Sequence, residues 1–202
     1  MAPLSERGDA HEKDRIHSST VSDLPPAITG QDSYPKGDVL GGYAFSHYTV
    51  DSAGHNLNGW AGSVSGNVTR HFGVTADFSG VYGSEPYVPI CTVPVPPGCP
   101  PQTQKLSAYH FLAGPSLTLR THRAAPFVQA LFGVADLREE KSGNRSAFAM
   151  GFGGGVDIPV GKHWAYRLFQ ADYIPAKRPA DLGGWDHDFR LETGVVFNFG
   201  RK

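Results

Sequence analysis

Apolar and polar residues alternate with a period of two through most of the chain from about Asp38 to Gly200. The last stretch shows it best. Phe189, Leu191, Thr193, Val195, Phe197 and Phe199 share one face, and Asp188, Arg190, Glu192, Gly194 and Asn198 share the other. A period of two is the signature of a β-strand with two unlike faces. The same reading predicts further strands at about Asp38–Tyr48, Leu57–Arg70, Phe72–Tyr82, Lys105–Arg120, Pro126–Arg138, Ser146–Val160 and His163–Ile174. With Asp186–Gly200 at the end, the expected fold class is all-β, an eight-stranded antiparallel up-and-down barrel.

The connections between these segments are expected to alternate in length. Residues 49–56, 83–104, 139–145 and 175–185 read as the longer ones. Residues 70–71, 121–125 and 161–162 read as tight. In a bacterial transmembrane barrel the short turns face the periplasm, with both termini, and the long loops face outward.

Which face turns inward separates a membrane barrel from a soluble one. A lipocalin-like binder puts its apolar face inside and a Lys/Glu-rich face toward water. Here the polar face is mostly Gly, Ala, Ser, Thr and Asn, which suits the narrow lumen of an eight-stranded barrel. Trp60, Phe72, Tyr82, Tyr109, Trp164, Tyr173, Phe197 and Phe199 lie near predicted strand ends, where aromatic girdles meet lipid headgroups.

Composition narrows the picture further. Charged residues are 18% of the chain, against about 25% in typical soluble domains. Gly is 25 of 202 and Pro 16 of 202, both enriched, and Gly lets strands bend in a small barrel. A formal net charge of -1 gives no basic surface for nucleic acid. No apolar run is long enough for a transmembrane helix, which leaves a strand-built crossing open. Met1–Ser19 is hydrophilic and charged and shows no signal-like apolar stretch. Residues 1–36 are expected to be a disordered leader and residues 37–202 the barrel.

Cys91 and Cys99 flank a Pro-rich segment in the long 83–104 connection. They read as a disulfide closing a small exposed loop, worth about 2–3 kcal/mol at most, with two free thiols as the alternative.

Residues 38–202 resemble the eight-stranded outer-membrane barrel domain of the outer-membrane protein A type. More narrowly they resemble small porin-like barrels of environmental Gram-negative bacteria such as acidobacteria. The resemblance rests on residues 39–43, 58–68, 72–80, 149–157, 167–173 and 194–200, taken in order. It implies insertion by the barrel-assembly machinery through an aromatic-alternating last strand, and residence among outer-membrane lipid and lipopolysaccharide. Gly200-Arg201-Lys202 departs from the family habit of ending on an aromatic. No cell-wall-binding segment follows residue 202, so cell-wall anchoring is not expected.

Strand parity places Asp77, Asp157, Gln170, Asp172, Arg190 and Glu192 on the inward face. Charges in a narrow lumen must pair or hydrogen-bond, so these residues are expected to form a polar network that plugs the barrel. Arg167 has the opposite parity. A bulge near Leu168–Phe169 brings it inward; otherwise it snorkels at the rim.

No catalytic group, cofactor or metal is expected. The nine histidines show no metal-ligand spacing in the barrel and read as lying near strand ends and loops. No serine, histidine and acid are juxtaposed in sequence as a nucleophile would need. Gly151-Phe152-Gly153-Gly154-Gly155 sits inside a strand pattern with no helix after it, so it is not a dinucleotide loop. Its glycines are expected to let a neighbouring aromatic pack on bare backbone. The expected role is a non-enzymatic, monomeric outer-membrane barrel whose loops 83–104 and 175–185 meet extracellular ligands. A lipid-modifying barrel enzyme and a soluble lipocalin-like binder are the alternatives.

Overall fold

The computed structural model describes residues 34–50, 53–87, 102–140, 143–177 and 184–201. Cys91 and Cys99 lie outside the described residues, as do most of loops 83–104 and 175–185.

Eight strands close into one antiparallel barrel, each pairing with its sequence neighbours and β1 with β8. They are β1 (Pro35–Val50), β2 (Ala53–Asn67), β3 (Phe72–Tyr87) and β4 (Gln102–Thr118). β5 (Ala125–Glu139), β6 (Gly143–Pro159), β7 (Trp164–Lys177) and β8 (Trp185–Arg201) complete the circle. Closure leaves no sheet edge with unpaired backbone groups. Each of the eight expected segments falls on one strand, with Val68–Arg70, Leu119–Arg120, Val160 and His163 belonging to turns instead.

The connections differ from expectation. Residues 49–56 were expected to be a loop. Residues 49–50 and 53–56 continue the ladder instead, with Thr49 opposite Gly54 and Val50 opposite Ala53. Likewise Leu137 pairs with Arg145 and Glu139 with Gly143. Residues 51–52 separate β1 from β2, whereas 119–124 separate β4 from β5. Connection length therefore does not alternate. The asymmetry lies in the strands, which at one end run beyond the segments of clear alternation. Period two marks a strand only where its faces meet different media. At this end the backbone ladder persists without the pattern. We call this the loop end. The opposite end, with turns 68–71, 119–124 and 160–163 and the start of β1 and end of β8, is the turn end.

The faces sort as parity predicts. Phe78, Phe111, Phe132, Phe152, Phe189 and Leu191 point outward and are exposed. Besides these mid-barrel phenylalanines, aromatics also group toward each end. At the turn end Trp164 packs edge-on against Phe197, with ring centroids 4.9 Å apart. Nearer the loop end Tyr82 packs edge-on on Tyr109 at 5.9 Å and accepts a hydrogen bond from Trp60 Nε1 at 3.3 Å. Such amphipathic aromatics suit the two interfaces of a bilayer.

The interior is less polar than expected. Ala44, Tyr48, Leu57, Ala61, Val81, Leu106 and Ala108 form one buried inward cluster. Leu112, Leu131, Ala149, Ile174 and Ala176 form a second. Beside the small and polar residues expected on the inner face, apolar side chains of middling size fill much of the loop-end half. A narrow barrel must be packed by whatever points inward, and Leu and Ala do that without unpaired polar groups.

Candidate functional site

The polar residues concentrate at mid-barrel around one side chain. Arg190, on β8, is fully buried. Its Nη2 lies 2.8 Å from Asp77 Oδ1 on β3 and 2.9 Å from Asp172 Oδ2 on β7. Its Nε lies 2.8 Å from Glu192 Oε1, two residues along its own strand. Its Nη1 donates to Ser79 Oγ at 2.7 Å. One guanidinium therefore faces three carboxylates, from opposite walls of the lumen. It hydrogen-bonds Asp172 and Ser79, while Asp77 and Glu192 are held as ion pairs without hydrogen-bond geometry.

A second cation extends the network toward the turn end. Arg167 grips Asp157 through two bonds, Nε to Oδ1 at 2.8 Å and Nη2 to Oδ2 at 3.0 Å. Its Nη1 donates to Gln170 Oε1 at 2.6 Å, and Gln170 Nε2 donates to Asp172 Oδ2 at 2.6 Å. The guanidinium also lies 4.3 Å above the Phe127 ring, a favourable cation–π placement. Asp77, Asp157, Gln170, Asp172, Arg190 and Glu192 are thus joined in one network, with Arg167 as the link.

Arg167 reaches the lumen through a bulge. The β7–β8 register shifts between Arg167 and Gln170, and on the β6 side it shifts between Val156 and Asp157. Leu168 and Phe169 both end up exposed. An extra residue in one strand reverses the parity beyond it, so Arg167 and Gln170 share the inner face. This is the first of the two placements the sequence left open.

Several members were missed. Gln129 donates to Asp172 Oδ1 at 3.1 Å. Ser79 Oγ lies 3.3 Å from His110 Nδ1, and His110 Nε2 lies 3.5 Å from Asp188 Oδ2. Ser46 donates to Asp188 Oδ1. His110 was expected near a strand end; it is buried inside β4. The signal was available, because Tyr109 and Phe111 face outward and force His110 in. The pairing of Ser79 with His110 and Asp188 crosses strands β3, β4 and β8, so no local motif announces it.

Ser79, His110 and Asp188 resemble a nucleophile, base and orienting acid in composition. Their setting is different. Ser79 is buried and its oxygen is already occupied by Arg190. The small space of about 40 Å³ beside His110 and Asp188 does not reach Ser79.

Among the inward glycines of β6, Gly153 serves the network. A Cβ on Gly153 would stand 2.0 Å from Asp172 Oδ1 and 2.4 Å from the Ala171 carbonyl. Gly153 is therefore the space that lets the Asp172 carboxylate turn toward Arg190. Of the other two inward glycines, Gly155 does sit under a ring, that of Phe127, while Gly151 faces Leu112.

Below the network, at the turn end, the lumen widens into a cavity of about 350 Å³. Asp38, Asn67, Arg120, Asp157, Arg167 and Asn198 are among its lining residues. Among the described residues no group of His, Cys, Asp or Glu is placed to hold a metal ion.

No protein-family model and no curated protein matches the chain. Solved structures do. Neisserial surface protein A is 13% identical, with a TM-score of 0.57, over 83% of this chain and 99% of that one. The outer membrane protein OprG from Pseudomonas aeruginosa is 10% identical, with a TM-score of 0.51, over 83% of this chain and 97% of that one. Ail of Yersinia pestis, solved with the heparin analogue sucrose octasulfate, is 16% identical with a TM-score of 0.48, over 80% of this chain and 97% of that one. At these identities the likeness is one of fold: the chain has the eight-stranded barrel fold of Gram-negative outer-membrane proteins.

Proposed function

We propose that this chain is an integral outer-membrane β-barrel of non-enzymatic, scaffold-like role, with a closed lumen and its contact surface on the loops. The observation that carries the reading is the outer face. Large apolar side chains on all eight strands are exposed there, from Tyr43 on β1 to Phe199 on β8. In water such a continuous apolar surface drives association; in lipid it is the ordinary exterior of a barrel. A soluble lipocalin-like binder would turn those side chains inward.

In this reading residues 37–202 form the membrane unit and residues 1–36 a leader, and the turn end with both strand termini faces the periplasm. The barrel is a monomer among outer-membrane lipid and lipopolysaccharide, inserted by the barrel-assembly machinery. Loops 83–104 and 175–185 are where extracellular ligands meet it. The Arg190 network and the loop-end clusters of Leu57, Val81, Leu106, Leu112, Leu131 and Ile174 act together as the plug.

Planar-bilayer recording tests the closed lumen. The purified, folded protein is expected to give no ion-conducting steps; stable open channels would contradict the plug. Incubation with lipid A followed by mass spectrometry tests the non-enzymatic role. An unchanged lipid mass is expected, and loss or gain of an acyl chain would overturn it.

A further inference from the structure

The two ends of the barrel differ in charge as well as in strand length. At the turn end, segments 34–37, 68–71, 119–124, 160–163 and 198–201 contain Lys36, Arg70, Arg120, Arg123, Lys162 and Arg201, and not one Asp or Glu. The carboxylates next in line, Asp38 and Asp157, line the cavity inside, and Asp157 is held by Arg167. The loop end mixes signs: Asp136, Glu140 and Asp186 stand among Lys105, Arg138, Arg145 and Lys177, and Arg138 pairs with Asp136 at 2.9 Å.

The cations of the turn end are arranged in two sets. Arg120 donates to the Arg70 carbonyl and, at 2.9 Å, to Asn67 Oδ1, while Arg70 donates to the Arg120 carbonyl at 3.4 Å. These bonds tie two turns together. Lys36, Arg123 and Lys162, from the start of β1 and two different turns, are exposed. The same rim carries exposed Phe72, Leu119, Val160, Trp164, Phe197 and Phe199. Basic side chains beside an aromatic and aliphatic belt are the chemistry of the headgroup layer, where rings take the interface and cations reach phosphate.

We propose that the turn end is a docking rim for anionic glycerophospholipid, with Lys36, Arg123 and Lys162 binding headgroup phosphate. A lipid fits better than an acidic protein because these cations come from three separate segments around the circumference, on the rim that carries the exposed aromatic and aliphatic side chains, with Lys162 also bordering the turn-end cavity. The proposal rests on the barrel sitting in a bilayer. Each basic residue near an anionic surface favours partition by about fivefold, so a rim of three discriminates measurably between anionic and zwitterionic headgroups.

The test uses the full chain folded in detergent with equimolar phosphatidylglycerol and phosphatidylethanolamine, and native mass spectrometry of the retained lipids. The wild type is expected to retain phosphatidylglycerol in at least about threefold excess. The K36Q/R123Q/K162Q variant should fall to about parity, and K105Q/R145Q/K177Q at the other end should keep the excess. Heat-modifiable gel mobility of all three confirms that they fold. A folded wild type without preference overturns the proposal, and so does an excess that survives the rim substitutions or disappears with the loop-end ones. Loss of the excess to competing free glycerol phosphate would also overturn it, since the site would then recognise a soluble anion. A wild type that never acquires a folded, heat-modifiable form in detergent defeats the membrane reading instead, so the two failures are distinct.

Discussion

Replacing Arg190 by methionine should lower the stability of the folded barrel by about 3–5 kcal/mol, the usual consequence of deleting one partner from a buried ionic cluster. The magnitude follows from what is left behind. Asp77, Asp172 and Glu192 each lie within 2.9 Å of the guanidinium and each is buried. Ser79 would lose its donor as well. Carboxylates facing one another across a lumen with no cation between them must be solvated or neutralised, and the apolar clusters toward the loop end leave little room for water. Urea titration of the protein refolded into lipid vesicles, followed by tryptophan fluorescence, reads the change. A second variant separates lost charge pairing from lost volume. Arg190→Met combined with Asp77→Asn and Glu192→Gln should recover most of the deficit, because neutral amides need only hydrogen bonds. If the single substitution costs under about 1 kcal/mol, the network is not what fills and holds the lumen.

The second large effect concerns the outer face. Phe132 lies mid-strand on β5, opposite Ala113 and Met150, and 46% of its surface is exposed. Its ring packs edge-on against Phe152, with centroids 6.3 Å apart. Phe132→Arg puts a cation at mid-depth in lipid and should cost about 2–4 kcal/mol or block insertion. Gln129, three residues away, faces inward beside Asp172 at the edge of the turn-end cavity. Gln129→Arg places its charge against a carboxylate and should cost much less. Refolding yields into vesicles distinguish the two, and the reverse order would mean that the faces are inverted.

These two residues also show what the sequence could and could not carry. Period two placed Phe132 outside and Asp77, Arg190 and Glu192 inside, because the two faces of each strand differ in character and parity is conserved along it. The bulge at Leu168–Phe169 was legible only as a choice, since one inserted residue changes parity without changing composition. His110 and Asp188 sat at the correct parity, yet their partners come from other strands, and strand-to-strand register is not written locally. The loop-end strand extensions were invisible for the opposite reason. His47, Thr49, Gly54 and Asn56 carry no apolar alternation to mark them, and their pairing rests on the backbone ladder together with a side-chain bond between His47 and Asn56 at 2.8 Å. Inward Leu57, Leu106, Leu112 and Leu131 were obscured because an apolar residue on the inner face interrupts the alternation that reveals the outer one.

The central claim is that the exposed apolar exterior is a lipid-facing surface. Flotation of the full chain after refolding in the presence of phospholipid vesicles tests it most directly. The protein is expected to float with the vesicles in a compact form whose gel mobility shifts on heating. A chain that stays folded, monomeric and in the aqueous fraction without detergent or lipid would contradict it.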